Sequence, residues 1–517
     1  MNQPAAELAT SEHRPRGRAA LLETALVFAV FFLQGGWPAP DVNESVYLAK
    51  IKHEWNPDWS PRDFYLNSTD AHAVFGLAVG WLTRFLSLPA FAWYGRLITW
   101  WLMAWSWQRL SFALAPRWWL AVVSAGLFVC LQERCQMAGE WVIGGFEAKG
   151  LAYVLVFLGL EMLVRNRWNR ALWMWGAAAA FHVLVGGWTV VAAGLAWLSL
   201  GKHRPTLTTI LPGLAGGLML ALPALWLALQ LNAGADAETV REANRIYVFD
   251  RLPHHLAPQS FPKPAIFRHV LLVAAAVALF MLAPRGGGRR RLLSLVLGAA
   301  VVAAIGAAIA LATSHDRALA APLLRLYWFR LSDALVPLGV ALGAIAHLAA
   351  TSRITPLRGQ WQLGLVSGVA ALHLAGYAVD RPFPTRPRAD KENKVADYIA
   401  WRHVCGWVEA NTPVDALFLT PRTQQTFKWY SGRSEVATWK GLPQNAAHIV
   451  EWWRRLNEIH RDRELSRWRD SLNELSPQQL QQLGQEYQAR YLLTEAQPRL
   501  ALELLYQNNA YAVYRLD

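Results

Sequence analysis

ALLETALVFAVFFLQGGWPAPDVNESVYL, residues 20–48, is the stretch on which the architecture turns. Residues 20–36 form an apolar run of about 17 residues, near the minimum for crossing the hydrocarbon of a bilayer. The run stops at Trp37-Pro38-Ala39-Pro40, and a polar segment containing Asp41 and Glu44 extends to residue 70. Irregular backbone of that kind cannot satisfy its hydrogen bonds in lipid, so it must lie outside the membrane. No small-residue cleavage site follows the run, which reads as a retained signal anchor.

On either side the pattern repeats. Upstream, residues 1–19 form a basic tail with Arg14, Arg16 and Arg18, which stays cytoplasmic and places loop 37–70 on the extracytoplasmic face. Downstream, apolar segments run at about 71–88, 91–113, 118–131, 150–164, 171–200, 206–230, 267–284, 292–312, 332–350 and 361–379. The 171–200 run is too long for one simple span, and Gly186-Gly187-Trp188 is expected to break it into two. Basic connections at Arg165–Arg170, Lys202–Arg204 and Arg285–Arg291 belong on the cytoplasmic side. Counting back from them puts loop 132–149 outside, whereas counting spans from the N-terminus puts it inside. A re-entrant 118–131 segment would repair the parity, although Arg109 and Arg117 argue against it. After the linker Arg381-Pro382-Phe383-Pro384-Thr385-Arg386-Pro387 the composition becomes that of a soluble domain. There 416–421, 491–494 and 510–514 read as strands and 445–490 as mostly helical. The expected fold class is mainly α: a polytopic helical membrane protein of about 11–13 spans over residues 20–379, with a C-terminal soluble α/β domain at 380–517.

Composition supports this and removes alternatives. Of 517 residues, 54% are hydrophobic and only 17% charged, below the roughly 25% of soluble domains. The net charge of +14 does not point to nucleic acid, because no basic stripe lies on a soluble module. The 27 tryptophans suit aromatic belts at the headgroup level. Cys130, Cys135 and Cys405 have no zinc or disulfide spacing.

Four polar clusters could carry chemistry. Asp41 and Glu44 would share a helical face, as a base or metal ligand or else as a capping box; Asp58, Asp63, Asp70 and His72 follow in the same loop. Glu140, Glu147 and Lys149, with Glu133-Arg134, interrupt an apolar stretch, where ionisable groups are costly and a functional role is the default. Arg251, His254 and His255 could bind phosphate or metal, although adjacent strand histidines point apart and an ordinary polar loop is the plainer reading. His315, Arg325 and Arg330 flank an apolar segment at headgroup depth, suited to phosphate or to snorkelling. No Walker loop, dinucleotide fingerprint or nucleophile elbow is present.

With these features the chain resembles the GT-C class of membrane glycosyltransferases, which use polyprenyl-phosphate-linked sugars. The resemblance rests on the long first extracytoplasmic loop with Asp41 and Glu44, the many spans and the soluble end. More closely, it resembles an uncharacterised group of bacterial GT-C-like membrane proteins. That likeness lies in Asn43-Glu44 with Tyr47-Leu48, Met137-Ala138-Gly139-Glu140-Trp141, Phe146-Glu147-Ala148-Lys149-Gly150, Arg251-Leu252-Pro253-His254-His255-Leu256, Tyr327-Trp328-Phe329-Arg330-Leu331 and Phe418-Leu419-Thr420-Pro421.

The resemblance implies one shared extracytoplasmic site at a bacterial inner membrane, moving a sugar from a polyprenyl-phosphate donor to an unknown acceptor. Asp41 would be the base or hold a divalent cation, with Glu44 assisting. Lys149, Arg251, His254, His255, Arg325 and Arg330 would bind phosphate, and Glu140, Glu147 and His315 would complete the polar site. The alternatives are a transporter or lipid flippase, and a non-catalytic assembly protein. The signs of a transporter or flippase would be an internal repeat and paired broken helices, of which the sequence offers no convincing repeat and only the Gly186-Gly187 break.

Overall fold

The computed structural model describes residues 17–69, 72–380, 386–391, 394–462 and 464–517. Arg14 and Arg16 of the tail, Asp70, and linker residues 381–385 lie outside the described residues. In chain order the helices are α1 (Gly17–Gly35), α2 (Glu44–Trp55), α3 (Ala73–Val79), α4 (Leu88–Leu114), α5 (Leu120–Cys135), α6 (Ala148–Val164), α7 (Trp168–Phe181), α8 (Val183–Ser199) and α9 (Leu207–Gln230). They continue with α10 (Ala237–Arg245), α11 (Pro253–Leu256), α12 (Lys263–Met281), α13 (Gly288–Ala312), α14 (Arg317–Leu324), α15 (Arg330–Ile354) and α16 (Pro356–Asp380). Among the described residues six of these, α1, α9, α12, α13, α15 and α16, are long and apolar enough to cross a membrane. The tryptophan-rich α4 and the shorter α5 to α8 run between the same two faces and share their core.

Contacts at the helix ends sort the connections into two faces. On one, Arg117 donates to Ser352 Oγ at 2.8 Å and Arg291 donates to the carbonyl of Leu163 at 2.9 Å. Gly286 there packs beside His203. The basic connections expected on the cytoplasmic side therefore share this face. On the other, the segments after α1, α9 and α13 meet the C-terminal residues through Val42 and Gln425 at 3.0 Å, Asn232 and Ala446 at 3.1 Å, and Arg325 and Gln444 at 2.8 Å. The loops after α5 and α7 join them through Gly145 with Asp41 and His182 with Arg330. This layout resolves the parity conflict, and the re-entrant reading of 118–131 is corrected. Helix α5 runs from Glu23, whose carboxylate accepts from Ala121 N, up to Cys135, whose carbonyl meets His269 Nδ1 at 2.9 Å on the opposite face. The miscounted segment is 71–88, which forms only α3 and a short 3₁₀ turn, Gly80–Arg84, beside the first loop. Apolar composition alone could not distinguish a short packed helix from a span.

The break in 171–200 is real but lies at His182, before the glycine pair. There the chain reverses, and Gly186 lies so close to the Ala179 backbone that a Cβ would fall 2.1 Å from its nitrogen. Helices α7 and α9 cross just as tightly, since a Cβ on Gly176 would lie 2.1 Å from the Gly217 carbonyl oxygen. Small residues are what allow such close helix approach where lipid supplies no hydrophobic drive. The aromatic-belt reading of tryptophan is also corrected in part, because Trp100, Trp107 and Trp175 are fully buried in the helical core. Their indole N–H groups donate to Gly144 O at 3.0 Å, Ser124 Oγ at 3.1 Å and Val156 O at 3.3 Å, which makes burial affordable.

The C-terminal part is a small α/β unit. It comprises α17 (Tyr398–Asn411), β1 (Leu417–Leu419), α18 (Phe427–Ser431), β2 (Ser434–Glu435), α19 (Ala446–His460), a two-stranded ribbon of β3 (Arg461–Asp462) and β4 (Arg467–Trp468), α20 (Pro477–Tyr487), β5 (Tyr491–Glu495), β6 (Glu503–Gln507) and β7 (Tyr511–Arg515). Sheet order is β2-β1-β5-β7-β6, with β1 parallel to both neighbours and β7 antiparallel to both of its own. The three expected strands are β1, β5 and β7. The unit docks on the first loop through a buried charge cluster, in which Lys428 Nζ stands 2.9 Å from Asp63 Oδ2 and 2.8 Å from Glu435 Oε1.

Candidate functional site

The first loop folds back under the 136–147 loop, and Glu44 is the knot. Its carboxylate accepts from the backbone N–H of Asp41 at 2.7 Å and of Phe146 at 2.6 Å, and from Arg96 Nε at 2.6 Å. A second arm of Arg96 also binds it, and a third reaches the Trp37 carbonyl. Both side chains are fully buried. Half of the capping box is thus present: Glu44 reaches back to Asp41 N, but the N-cap position of α2 is Asn43, whose side chain makes no cap hydrogen bond, and the Asp41 carboxylate turns elsewhere. Asp41 accepts from Gly145 N at 3.0 Å and from its own neighbour Val42 N at 2.8 Å, and Arg388 Nε stands 3.6 Å away. Gly145 is required for this approach, because a Cβ there would meet Asp41 Cβ and the Glu44 carboxyl carbon at 3.0 Å.

Above this knot lies a cavity of ≈ 320 Å³. Its lining includes the apolar side chains of Ile51, Phe75, Val183, Leu184 and Leu231. It also includes Lys149, Arg325 and Arg330 as cations, with Tyr47, Tyr327 and Glu147 among them. Arg330, at the start of α15, holds Glu140 Oε2 at 3.0 Å and His182 Nε2 at 3.1 Å. Lys149, in the first turn of α6, stands 3.8 Å from both Glu140 and Glu147 and lies over the Trp141 ring. Arg325 donates to Asn244 Oδ1 at 2.7 Å and to the Gln444 carbonyl at 2.8 Å.

Glu147 is the distinctive group. It is 5% exposed, it lines the cavity, and its Oε1 has no hydrogen-bond partner among the described residues. Burial pushes its carboxyl up to about 7, with Lys149 and Asn43 opposing the shift. A carboxyl poised there exchanges a proton near neutrality.

The structure therefore brings Glu140, Glu147, Lys149, Arg325 and Arg330 to one place. Asp41 and Glu44 are not in the cavity wall; they lie beneath it, their oxygens engaged by backbone N–H groups and arginines. Arg251 and His255 join from the next loop. Arg251 Nε donates to the Trp439 carbonyl at 2.9 Å, and His255 Nδ1 is 2.5 Å from the Ala138 carbonyl. Burial, with His254 beside it, pulls the His255 imidazole down to about 3. The expectation that His254 and His255 point apart is corrected: this stretch is helical, and the two rings lie 4.1 Å centroid to centroid. His315 is exposed after α13 and does not reach the cavity.

Two residues that lacked a role in the sequence reading matter here. His182 became visible only when the chain was seen to reverse at it. Asp333 is fully buried and accepts from the N–H groups of Met137 at 2.9 Å, Ala138 at 2.8 Å and Glu140 at 3.3 Å, so it shapes the loop that carries Glu140. An acid inside an apolar segment was the available signal.

A divalent cation, implied by the resemblance, does not fit this donor set. Asp41, Glu44 and Glu140 are each engaged by an arginine, and among the described residues no three His, Cys, Asp or Glu stand together as a metal-binding group. The cavity lining carries three cations, Lys149, Arg325 and Arg330, against the carboxylate of Glu147, which suits an anion.

A family model described as a domain of unknown function (DUF6798) matches residues 399–459, from α17 to α19. No curated protein matches the chain. Among solved structures the chain is similar to the Archaeoglobus fulgidus oligosaccharyltransferase, crystallised as a complex with Zn and sulfate. That match has 11% identity and a TM-score of 0.41, and covers 92% of this chain and 67% of the other. So loose a superposition transfers neither residues nor reaction.

Proposed function

We propose that the protein is a membrane glycosyltransferase that takes a sugar from a polyprenyl-phosphate donor and passes it to an acceptor hydroxyl. The observation that carries this reading is the mixed lining of the cavity, with apolar side chains for a lipid chain and Lys149, Arg325 and Arg330 for its phosphate. The face with the basic connections would be cytoplasmic, so the cavity and the C-terminal unit would face the other way.

In the reaction Glu147, rather than Asp41, removes the proton of the acceptor hydroxyl. The acceptor oxygen bonds to the sugar carbon as the bond from that carbon to the phosphate oxygen breaks. The electron pair leaves on the phosphate, where Arg325, Arg330 and Lys149 stabilise it. Asp41 and Glu44 act as positioning residues through Gly145 and Phe146, immediately before Glu147. The flippase alternative loses its sequence sign, since the break at His182 is a reversal between two helices rather than a discontinuity at mid-membrane.

The test offers lipid-linked sugars and candidate acceptors to wild type, Glu147→Gln and Asp41→Asn. Removal of a general base costs about 10²–10⁴-fold in rate, so Glu147→Gln should lose that much while still binding donor. Equal turnover by wild type and Glu147→Gln would remove this base from the mechanism.

A further inference from the structure

The seam between the membrane body and the C-terminal unit holds positive charge that the donor phosphate does not use. Two arginines of the body clamp one loop of that unit: Arg251 Nε donates to the Trp439 carbonyl at 2.9 Å, and Arg325 Nη2 to the Gln444 carbonyl at 2.8 Å. Between these anchors lies Lys440, within electrostatic reach of Arg251, Lys394, Lys149 and Glu147. Lys394 arrives on the segment that follows α16 and shares Arg251 with it. Among the described residues neither lysine amine has a hydrogen bond or ion pair, and only Nε of Arg251 has a bonded acceptor. Glu147 is the carboxylate that acts on Lys440, and Lys149 already shares it; Asp390 acts on Lys394.

Arg251, Lys394 and Lys440, with Lys391 and Arg388 beside Lys394, therefore outnumber Glu147, which acts on Lys440, and Asp390, which acts on Lys394. Unfavourable burial of charge of this kind persists when a ligand supplies the counter-charge. The strain is visible in the lysines. Burial, with Arg251 and Lys394 nearby, pulls the Lys440 amine down to about 7, and burial beside Lys391 pulls Lys394 down to about 8.

We infer that Arg251, Lys394 and Lys440 form a second anion subsite at this seam, built to take a phosphate group other than the one at Arg325 and Arg330. The inference rests on the glycosyl-transfer reading for its biological meaning, but not for its chemistry. Two sources fit: a phosphate carried by the acceptor, or the second phosphate of a diphosphate-linked donor. In either case the C-terminal unit completes the site through the loop 439–444.

The test is calorimetric titration of the full-length protein in detergent with inorganic phosphate and, separately, pyrophosphate. The proteins compared are wild type, Lys440→Gln, Lys394→Gln, Lys440→Arg and Arg325→Gln. Losing one charge-assisted contact weakens binding roughly tenfold or more. Two phosphates per protein, one lost in Lys440→Gln and the other in Arg325→Gln, would assign the subsite to an anionic acceptor. One pyrophosphate, weakened by either change, would assign it to a diphosphate donor. Loss in Lys440→Gln with Arg325→Gln unaffected would keep the subsite and overturn the donor reading instead. Lys440→Arg should restore binding in each supporting case. Unchanged affinity for both anions in Lys440→Gln and Lys394→Gln, with unfolding transitions like wild type, would overturn the inference.

Discussion

The Glu44–Arg96 pair makes a quantitative demand on the architecture. Both side chains are fully buried, and between them they hold the backbone at Trp37, Asp41 and Phe146. Replacing Glu44 by Gln keeps the shape but strands the Arg96 guanidinium and leaves two N–H groups competing for one oxygen. Breaking a buried pair from one side costs about 3–5 kcal/mol, and Arg96→Met should cost as much by stranding Glu44. The double variant strands neither charge. Its cost should therefore fall short of the sum of the two by roughly 2–3 kcal/mol, at the upper end of couplings for residues in contact. Denaturant unfolding in detergent, followed by tryptophan fluorescence, measures all four proteins. Strictly additive costs would refute the reasoning, because they would mean that the two groups do not answer one another's charge.

Three further outcomes follow from the same geometry. Asp333→Asn should speed amide exchange at Met137, Ala138 and Glu140, consistent with losing about 1.5–3 kcal/mol of charge-assisted hydrogen bonding; unchanged exchange there would separate Asp333 from that loop. The pH profile of kcat/KM should rise through about 7 as Glu147, faced by Lys149, Asn43, Asp41 and Lys440, gives up its proton, and fall again as Lys440 near 7 and Lys394 near 8 lose theirs. In Glu147→Gln the acidic limb should vanish, and a limb that persists would point to another base. In a variant lacking native cysteines, Lys202→Cys and Gln481→Cys should label from opposite sides of the membrane, and labelling from one side would overturn the sorting of faces.

Much of this organisation was legible in the sequence because lipid imposes simple rules. The apolar runs, the polar first loop and the basic connections each carry a strong physical penalty if misplaced, so composition alone revealed them. Glu140, Glu147, Lys149, Arg325 and Arg330 stood out for the same reason, as ionisable groups at the edge of apolar stretches. What stayed hidden depends on chain reversal and long-range pairing. Residues 73–84 are apolar enough to suggest a span, yet they form a short helix and a 3₁₀ turn held to the first loop by Trp55, whose indole donates to the Gly76 carbonyl. The spacing of Asp41 and Glu44 could not disclose that Arg96, half a hundred residues away, would claim one of them and Gly145 the other. The weight therefore fell on Asp41, whereas the carboxylate left open to the cavity is Glu147. Strands β2 and β6 escaped notice: the first is two residues long, and the second lies at the sheet edge with a mostly half-buried pattern.

The central claim, that this cavity receives a lipid phosphate, is tested most directly without any acceptor. Purified protein is mixed with a polyprenyl phosphate, and the bound fraction is read by native mass spectrometry for wild type, Lys149→Gln and Arg330→Gln. The account predicts one bound lipid on wild type and binding weakened by roughly tenfold or more in each variant. Equal occupancy across the three proteins, or no binding to any of them, would contradict it.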